Sequence, residues 1–334
     1  MDSAETEAAF MPAARAALES FPVGPADVVL VAMAENVTFK VVDRRDGTAY
    51  VLRLHRPGYH TLEELNAERA WVRALAAARI EVPVPVAARD GREYVPIPVA
   101  ATGETRFAGL ARWTEGRVLW DLLEETTNPD TVAGYFEKLG AITATMHEQS
   151  VGWTPPAGFK RHALDRDGLM GDAPFWGPFW DHASLTDVER RLLLDTRGRI
   201  QPVLDALGKD PSIYGVIHAD MHAGNILVNG DRLTVIDFDD AAFGWHQYDI
   251  AVALLHKQDG PEGPALERAF LRGYRAARPI DEAALSLLPM FRLIRGMVQI
   301  GWYHQRPELP PSPWFEGMKA LVLERCATFV RPRR

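Results

Sequence analysis

The chain has 334 residues, 47% hydrophobic and 25% charged, with a formal net charge of -8 at pH 7. That length and composition suit a globular protein of two domains or lobes with ample core, and exclude disorder or fibre. The acidic surplus argues against a nucleic-acid surface, the single cysteine, Cys326, excludes an internal disulfide, and no apolar stretch reaches signal or membrane-span length. The expectation is a cytoplasmic protein with neither nucleic acid nor membrane as partner.

Phe10, Ala14, Ala17, Leu18 and Phe21 recur at helical spacing and predict an amphipathic first helix over residues 3 to 20 that ends near Pro22. Residues 28 to 32, 36 to 42 and 48 to 54 read as three strands of an antiparallel sheet, with Asp46-Gly47 turning the second pair. Thr61-Leu62-Glu63-Glu64 is a capping box. Leu65, Ala67, Glu68, Trp71, Val72 and Leu75 continue a helical repeat from it to about Arg79. Val82-Pro83-Val84-Pro85-Val86 reads as an extended connector, because proline cannot donate to a central ladder. Residues 92 to 98 and 106 to 113 supply further strands, and Pro96 and Pro98 place the first at an edge.

Beyond Trp113-Thr114-Glu115-Gly116 the pattern turns helical. Val132, Phe136, Leu139, Ile142 and Met146 share one face of a helix over residues 130 to 147, and Thr186-Asp187-Val188-Glu189 caps another that runs to about Leu207. Residues 175 to 180 concentrate aromatics that either plug the core or line a binding site. Helices follow near 262 to 277, 281 to 305 and 313 to 330, with a kink or break at Pro289; Trp302, Tyr303, Trp314 and Phe315 there read as core.

The chemistry concentrates between residues 216 and 240, VIHADMHAGNILVNGDRLTVIDFDD. A short apolar approach delivers His218, Asp220 and Asn225 into a loop, and residues 226 to 228 and 233 to 236 form a hairpin around Asn229-Gly230-Asp231 that returns the chain to Asp237. Phosphoryl transfer needs a carboxylate to orient the attacking hydroxyl and oxygen ligands for a cation on the phosphates. The protein-kinase loop H-R-D-x-x-x-x-N, followed by Asp-Phe-Gly, matches at His218, Asp220, Asn225 and Asp237-Phe238, with Asp239 in the glycine position. Tyr50-Val51-Leu52-Arg53 stands where kinases carry V-A-I-K, placing Arg53 at the phosphate-binding lysine; an ordinary strand arginine is the alternative. His218-x-Asp220-x-His222 with Asp237, Asp239 and Asp240 would also suit a two-metal hydrolase, a reading that leaves Asn225 unexplained.

On these residues the sequence resembles the aminoglycoside phosphotransferase superfamily, kinase-like enzymes that include aminoglycoside, choline, ethanolamine and homoserine kinases and bacterial stress-response kinases. The resemblance implies a bilobal α+β kinase fold, with an antiparallel-sheet lobe over residues 1–113, a hinge near 114, and a mainly helical lobe over 114–334. It implies ATP and Mg2+ as cofactors and transfer of the γ-phosphate to a hydroxyl, with Asp220 as catalytic carboxylate and Asn225 and Asp237 as metal ligands. Arg53 would contact phosphate with Glu68 as its ion-pair partner. The run Ala34-Glu35-Asn36-Val37-Thr38 would take the place of the phosphate-covering loop, so that Asn36 and Thr38 belong to the nucleotide end. His218 and Asp249, the latter in a Tyr-Asp-x-Ala setting, would support the loop, and Asp239 and Asp240 are candidate substrate contacts. Only seven residues separate Asp240 from Tyr248 and no A-P-E follows, which distinguishes the chain from eukaryotic protein kinases. A small hydroxylated metabolite or antibiotic is the expected acceptor. A stress-response type Ser/Thr protein kinase, or a nucleotide-binding scaffold without turnover, is the alternative. Oligomeric state is not legible.

Overall fold

The computed structural model describes residues 3–33, 36–255, 259–309 and 312–331. In chain order they form α1 (Ser3–Leu18), β1 (Ala26–Met33), β2 (Val37–Asp43), β3 (Ala49–Leu54), α2 (Leu62–Ala77), β4 (Pro85–Val86), β5 (Tyr94–Val99) and β6 (Glu104–Arg112). β7 (Arg117–Val118), α3 (Leu119–Glu125), α4 (Pro129–Gly152), β8 (Ala163–Leu164), α5 (Arg166–Met170), α6 (Asp187–Leu207), β9 (Tyr214–Ile217), β10 (Ile226–Asn229) and β11 (Arg232–Val235) follow. The chain then adds β12 (Ala242–Trp245), α7 (His246–Ala253), α8 (Gly263–Ala277), α9 (Glu282–Ser286), α10 (Leu288–His304) and α11 (Pro313–Val330). Two compact units result, one of Met1–Leu122, Trp153–Arg161 and Gly224–Asp239, the other of Leu123–Gly152, His162–Ala223 and Asp240–Arg334. No helix among the described residues is long and apolar enough to cross a membrane.

The first unit is built on an antiparallel sheet in the order β1-β2-β3-β6-β4, with β5 also on β6. Alternation along β2 and β3 turns Phe39, Val41, Leu52 and Leu54 to one face, where Phe10, Ala14 and Ala17 of α1, and Phe21 just after it, are buried in the same core. Each large apolar side chain so buried contributes about 1.5–3 kcal/mol. Pro96 and Pro98 lie in β5, which pairs on one side only, as a residue without an N–H requires. The capping box at the start of α2 forms in both directions: Thr61 accepts from the Glu64 amide and donates its own amide to the Glu64 carboxylate. Trp71 on α2 meets the Phe238 ring edge to face at 5.6 Å. The β10–β11 hairpin turns through Gly230, at φ 58°, and is joined by β7.

The second unit packs its helices around Trp176, Phe179, Trp245, Tyr248, Phe291 and Ile294, with the small sheet β8-β12-β9 at one side. Trp176 and Phe179 are buried, so the aromatic run at 175 to 180 is a core plug, and Phe175 stacks on His162 at 3.6 Å. Helices α4 and α8 approach closely because glycine sits at the crossing: a Cβ on Gly140 would stand 2.0 Å from the Phe270 carbonyl oxygen, and one on Gly273 1.8 Å from that of Glu137. The helix expected over residues 281 to 305 is two, α9 and α10, with Pro289 in the first turn of α10, where its missing N–H has no partner to lose. Of the C-terminal aromatics Phe315 is buried, whereas Trp314 is 54% exposed, a departure from the expected core role.

Candidate active site

In the second unit β9 leads into the loop that carries His218, Asp220 and His222. The His218 and Ala219 amides donate to the two oxygens of Asp249, at 2.9 and 2.6 Å, from the first turn of α7. Ala219 sits at φ 67°, a left-handed conformation unfavourable for a residue with a Cβ, and this carboxylate grip holds it there. Burial pushes the Asp249 carboxyl up to about 6, although both amide hydrogen bonds oppose it. The Asp220 amide donates to His218 Nδ1 at 3.2 Å, which fixes the next backbone unit.

The Asp220 carboxylate is engaged at both oxygens. Arg295 Nη2, from α10, pairs with Oδ1, and His222 Nε2 stands 3.3 Å from Oδ2. Burial alone would raise the Asp220 carboxyl, but the His222 and Arg295 charges outweigh it and hold the group ionised, well below the usual carboxylate range. The Arg295 guanidinium lies 5.9 Å above the Trp176 ring, and the Asp240 charge adds to its stabilisation. Arg295 carries no motif in the sequence; only the fold brings it to Asp220, 75 positions away.

In the first unit, the Ile236 amide donates to the Asn225 carbonyl at 2.9 Å, so Asn225 and Asp237 stand at the two ends of the β10–β11 hairpin. Asp237 is itself left-handed, at φ 63°, with its side chain 40% exposed. Arg53 Nη1 donates to Asp237 Oδ1 at 2.8 Å, and on the sheet Arg53 lies opposite Thr38. The expected ion pair between Arg53 and Glu68 is therefore not formed: Asp237 takes the guanidinium. Glu68, buried on α2 with Oε2 lacking a hydrogen bond, bears on Arg53 through charge alone.

Asp239 is buried among basic groups. Its Oδ2 accepts from Asn36 Nδ2 at 2.9 Å, His55 Nδ1 is 3.4 Å from Oδ1, and its carbonyl meets His60 Nε2 at 2.7 Å and Arg161. Burial would raise its carboxyl, but the His55 hydrogen bond and charge, with Arg53, keep it well below the usual range. Ala34 and Glu35 of the expected phosphate-covering run lie outside the described residues. Asn225 and Asp237 offer an amide and a carboxylate, oxygen donors that fit a hard divalent cation. Among the described residues no three His, Cys, Asp or Glu gather as metal ligands, and the hydrolase alternative draws no support from them.

Residues 28–287 match the model of the phosphotransferase enzyme family. The amicoumacin kinase of Bacillus subtilis is 25% identical over 293 residues, covering 84% of this chain and 81% of that protein. A homoserine kinase of Agrobacterium fabrum is 31% identical over 229 residues, covering 65% and 61%. The solved structure of a microcompartment-associated aminopropanol kinase superposes with a TM-score of 0.78 at 31% identity, covering 96% of this chain and 95% of that one. With the kinase-like fold and the phosphotransfer motif both present, the chain belongs to the phosphotransferase enzyme family and is an ATP-dependent kinase that phosphorylates a hydroxyl of a small molecule.

Proposed function

We propose that the acceptor is a small amine-bearing alcohol and that Asp220 orients its hydroxyl for attack on the γ-phosphate of ATP. The observation that carries this reading is the fixed, ionised Asp220 carboxylate, on a loop whose preceding amides are gripped by Asp249. A hydroxyl held by such a group is pre-aimed, and the orientation is worth most in the transition state. His218 and Asp249 then act by shaping the loop. Asn225 and Asp237 would hold magnesium, which when bound neutralises charge on the phosphate oxygens. Arg53 would turn its guanidinium to the phosphates, with Glu68 setting the charge around it, and Asn36 and Thr38 lie at the same end of the sheet.

The amine is supported by the Asp240 carboxylate and by relatives named for homoserine and aminopropanol, both of which bear an amine and a hydroxyl. A carboxylate favours an ammonium group through opposite charge. A cytoplasmic setting, where ATP is held, belongs to the same reading. The test is ATP consumption with amino alcohols, hydroxy amino acids, aminoglycosides, neutral polyols and Ser/Thr peptides, for the parent and for Asp220→Asn. Turnover of amine-bearing alcohols that falls roughly 10²-fold or more in the variant is expected. Turnover confined to peptides, or an unimpaired variant, would overturn it.

A further inference from the structure

The Asp220 carboxylate meets a buried guanidinium, that of Arg295, in the second unit, and the Asp240 charge acts on the same guanidinium. Asp220 has Arg295 on Oδ1 and His222 on Oδ2, so neither of its oxygens is left to rotate freely. Arg295 itself is immobilised from several sides. It is 8% exposed, its guanidinium lies over Trp176, and Trp176 stacks on Tyr248 at 6.4 Å. The helix that carries it is pressed onto the aromatic plug: a Cβ on Gly301 of α10 would stand 2.6 Å from the Gly177 carbonyl oxygen and 2.8 Å from that of Trp176. A cation held this way by packing is a preorganised electrostatic element and needs no rearrangement at the moment of reaction.

We propose that Arg295 is a positioning residue for phosphoryl transfer: from α10 it fixes Oδ1 of Asp220, so that the carboxylate meets the acceptor hydroxyl at one orientation and in its ionised form. The inference rests on the reading of Asp220 given above. It adds a residue outside the loop that acts on the reacting groups through Asp220. Like charges close together push one another towards protonation, and Asp240 and Asp249 both bear on this site. Arg295 and the two histidines, His218 and His222, are the groups that oppose them, with Tyr248 as the neutral neighbour. Without Arg295 the carboxylate keeps His222 but gains a rotational freedom that a misaimed hydroxyl shares; a misplacement of about 1 Å lowers a rate roughly 10²-fold.

Arg295→Gln and Arg295→Lys are compared with the parent for kcat, KM for acceptor, ATP affinity and the pH profile of kcat, with Asp220→Asn alongside. Arg295→Gln is expected to lower kcat roughly 10²-fold. Its acceptor KM and ATP affinity should stay near parental, and its acid limb should move upward because the charge that kept Asp220 ionised is gone. Arg295→Lys, which keeps the charge, should recover part of kcat and return the acid limb. Retained ATP affinity reports that the variants are folded, and Arg295→Lys keeps the test open if the glutamine protein is not. Loss confined to acceptor KM would make Arg295 a substrate contact and overturn the proposal, as would an unchanged kcat. If Asp220→Asn stays active, the reading of Asp220 has failed, whereas a dead Asp220→Asn with an unimpaired Arg295→Gln sinks only the present inference.

Discussion

Asn36 donates Nδ2 to Asp239 Oδ2 at 2.9 Å across 203 positions of sequence, while its Oδ1 accepts the Arg56 amide at 2.9 Å. One amide side chain thus ties the start of β2 both to the end of β3 and to the segment that follows Asp237. The sequence offered no glycine-rich loop ahead of β2, and this clasp anchors Asn36 beside the first residue of β2. At the glycine position of the Asp-Phe-Gly pattern, the Asp239 side chain meets Asn36 and His55.

Asp239→Ala removes a buried acceptor and strands the Asn36 amide and the surrounding histidines. A loss of about 1–3 kcal/mol is expected by urea unfolding, together with a raised KM for ATP. Asp239→Asn, which keeps the shape and one acceptor oxygen, should lie between it and the parent. A variant with parental ATP KM and parental stability would show that the clasp does neither job.

A second prediction concerns acid. Burial, with the Arg278 charge behind it, pushes His147 down to about 3, and His246, stacked on it at 4.3 Å, is also lowered by burial and by His147. A base whose folded value lies below its unfolded one leaves stability intact above about pH 6.5 and loses it as pH falls, because the unfolded chain takes the proton first. Asp249, raised to about 6 and 3.3 Å from His147, has the opposite sign between about pH 4 and 6, but its shift is smaller than that of His147 alone. The melting temperature should therefore drop from pH 7 to pH 5. His246→Phe keeps the stacked ring without the ionisable nitrogen and should flatten that drop; parallel slopes for the two proteins would reject the assignment.

Strand and helix periodicity carried the first unit because its elements bury one face more than the other: Phe39 and Val41 alternate with half-buried neighbours on β2, and Thr61 to Glu64 announces α2. His218, Asp220, Asn225 and Asp237 were legible because spacing within one short stretch sets their geometry. Arg295, His55, His60 and Arg161 were not, since nothing local distinguishes a guanidinium that meets a carboxylate 75 residues away or a backbone carbonyl 78 residues away. The partner of Arg53 was misread for a related reason. Position on β3 and α2 brings Arg53 and Glu68 within each other's field, but the left-handed turn at Asp237, which no pattern of apolar residues encodes, brings a closer carboxylate.

For the cation, Asp237→Ala should abolish the magnesium dependence of ATP binding, whereas Asn225→Ala should weaken it less, because a carboxylate binds a hard cation more strongly than an amide. Calorimetric titration of ATP with and without magnesium checks both. Equal ATP affinity in the two conditions for the parent protein would argue against either role.

The last prediction separates Arg53 from Glu68. Arg53 holds Asp237 by a single nitrogen at 2.8 Å and is about one-fifth exposed, so its charge is available to phosphate and its loss also frees Asp237 to wander. Arg53→Ala should raise the KM for ATP by about tenfold or more, the equivalent of about 1.4 kcal/mol. Arg53→Lys keeps a point charge but loses the planar fork, and should recover part of that loss. Among the described residues Glu68 makes no ion pair, and its Oε2 has no hydrogen bond, so Glu68→Gln removes only a charge and should shift the ATP KM less than Arg53→Ala. Steady-state kinetics on the four proteins decide the order. A Glu68→Gln defect as large as that of Arg53→Ala would mean that the two side chains pair once nucleotide is bound, and that the Arg53–Asp237 contact belongs to the unliganded enzyme alone.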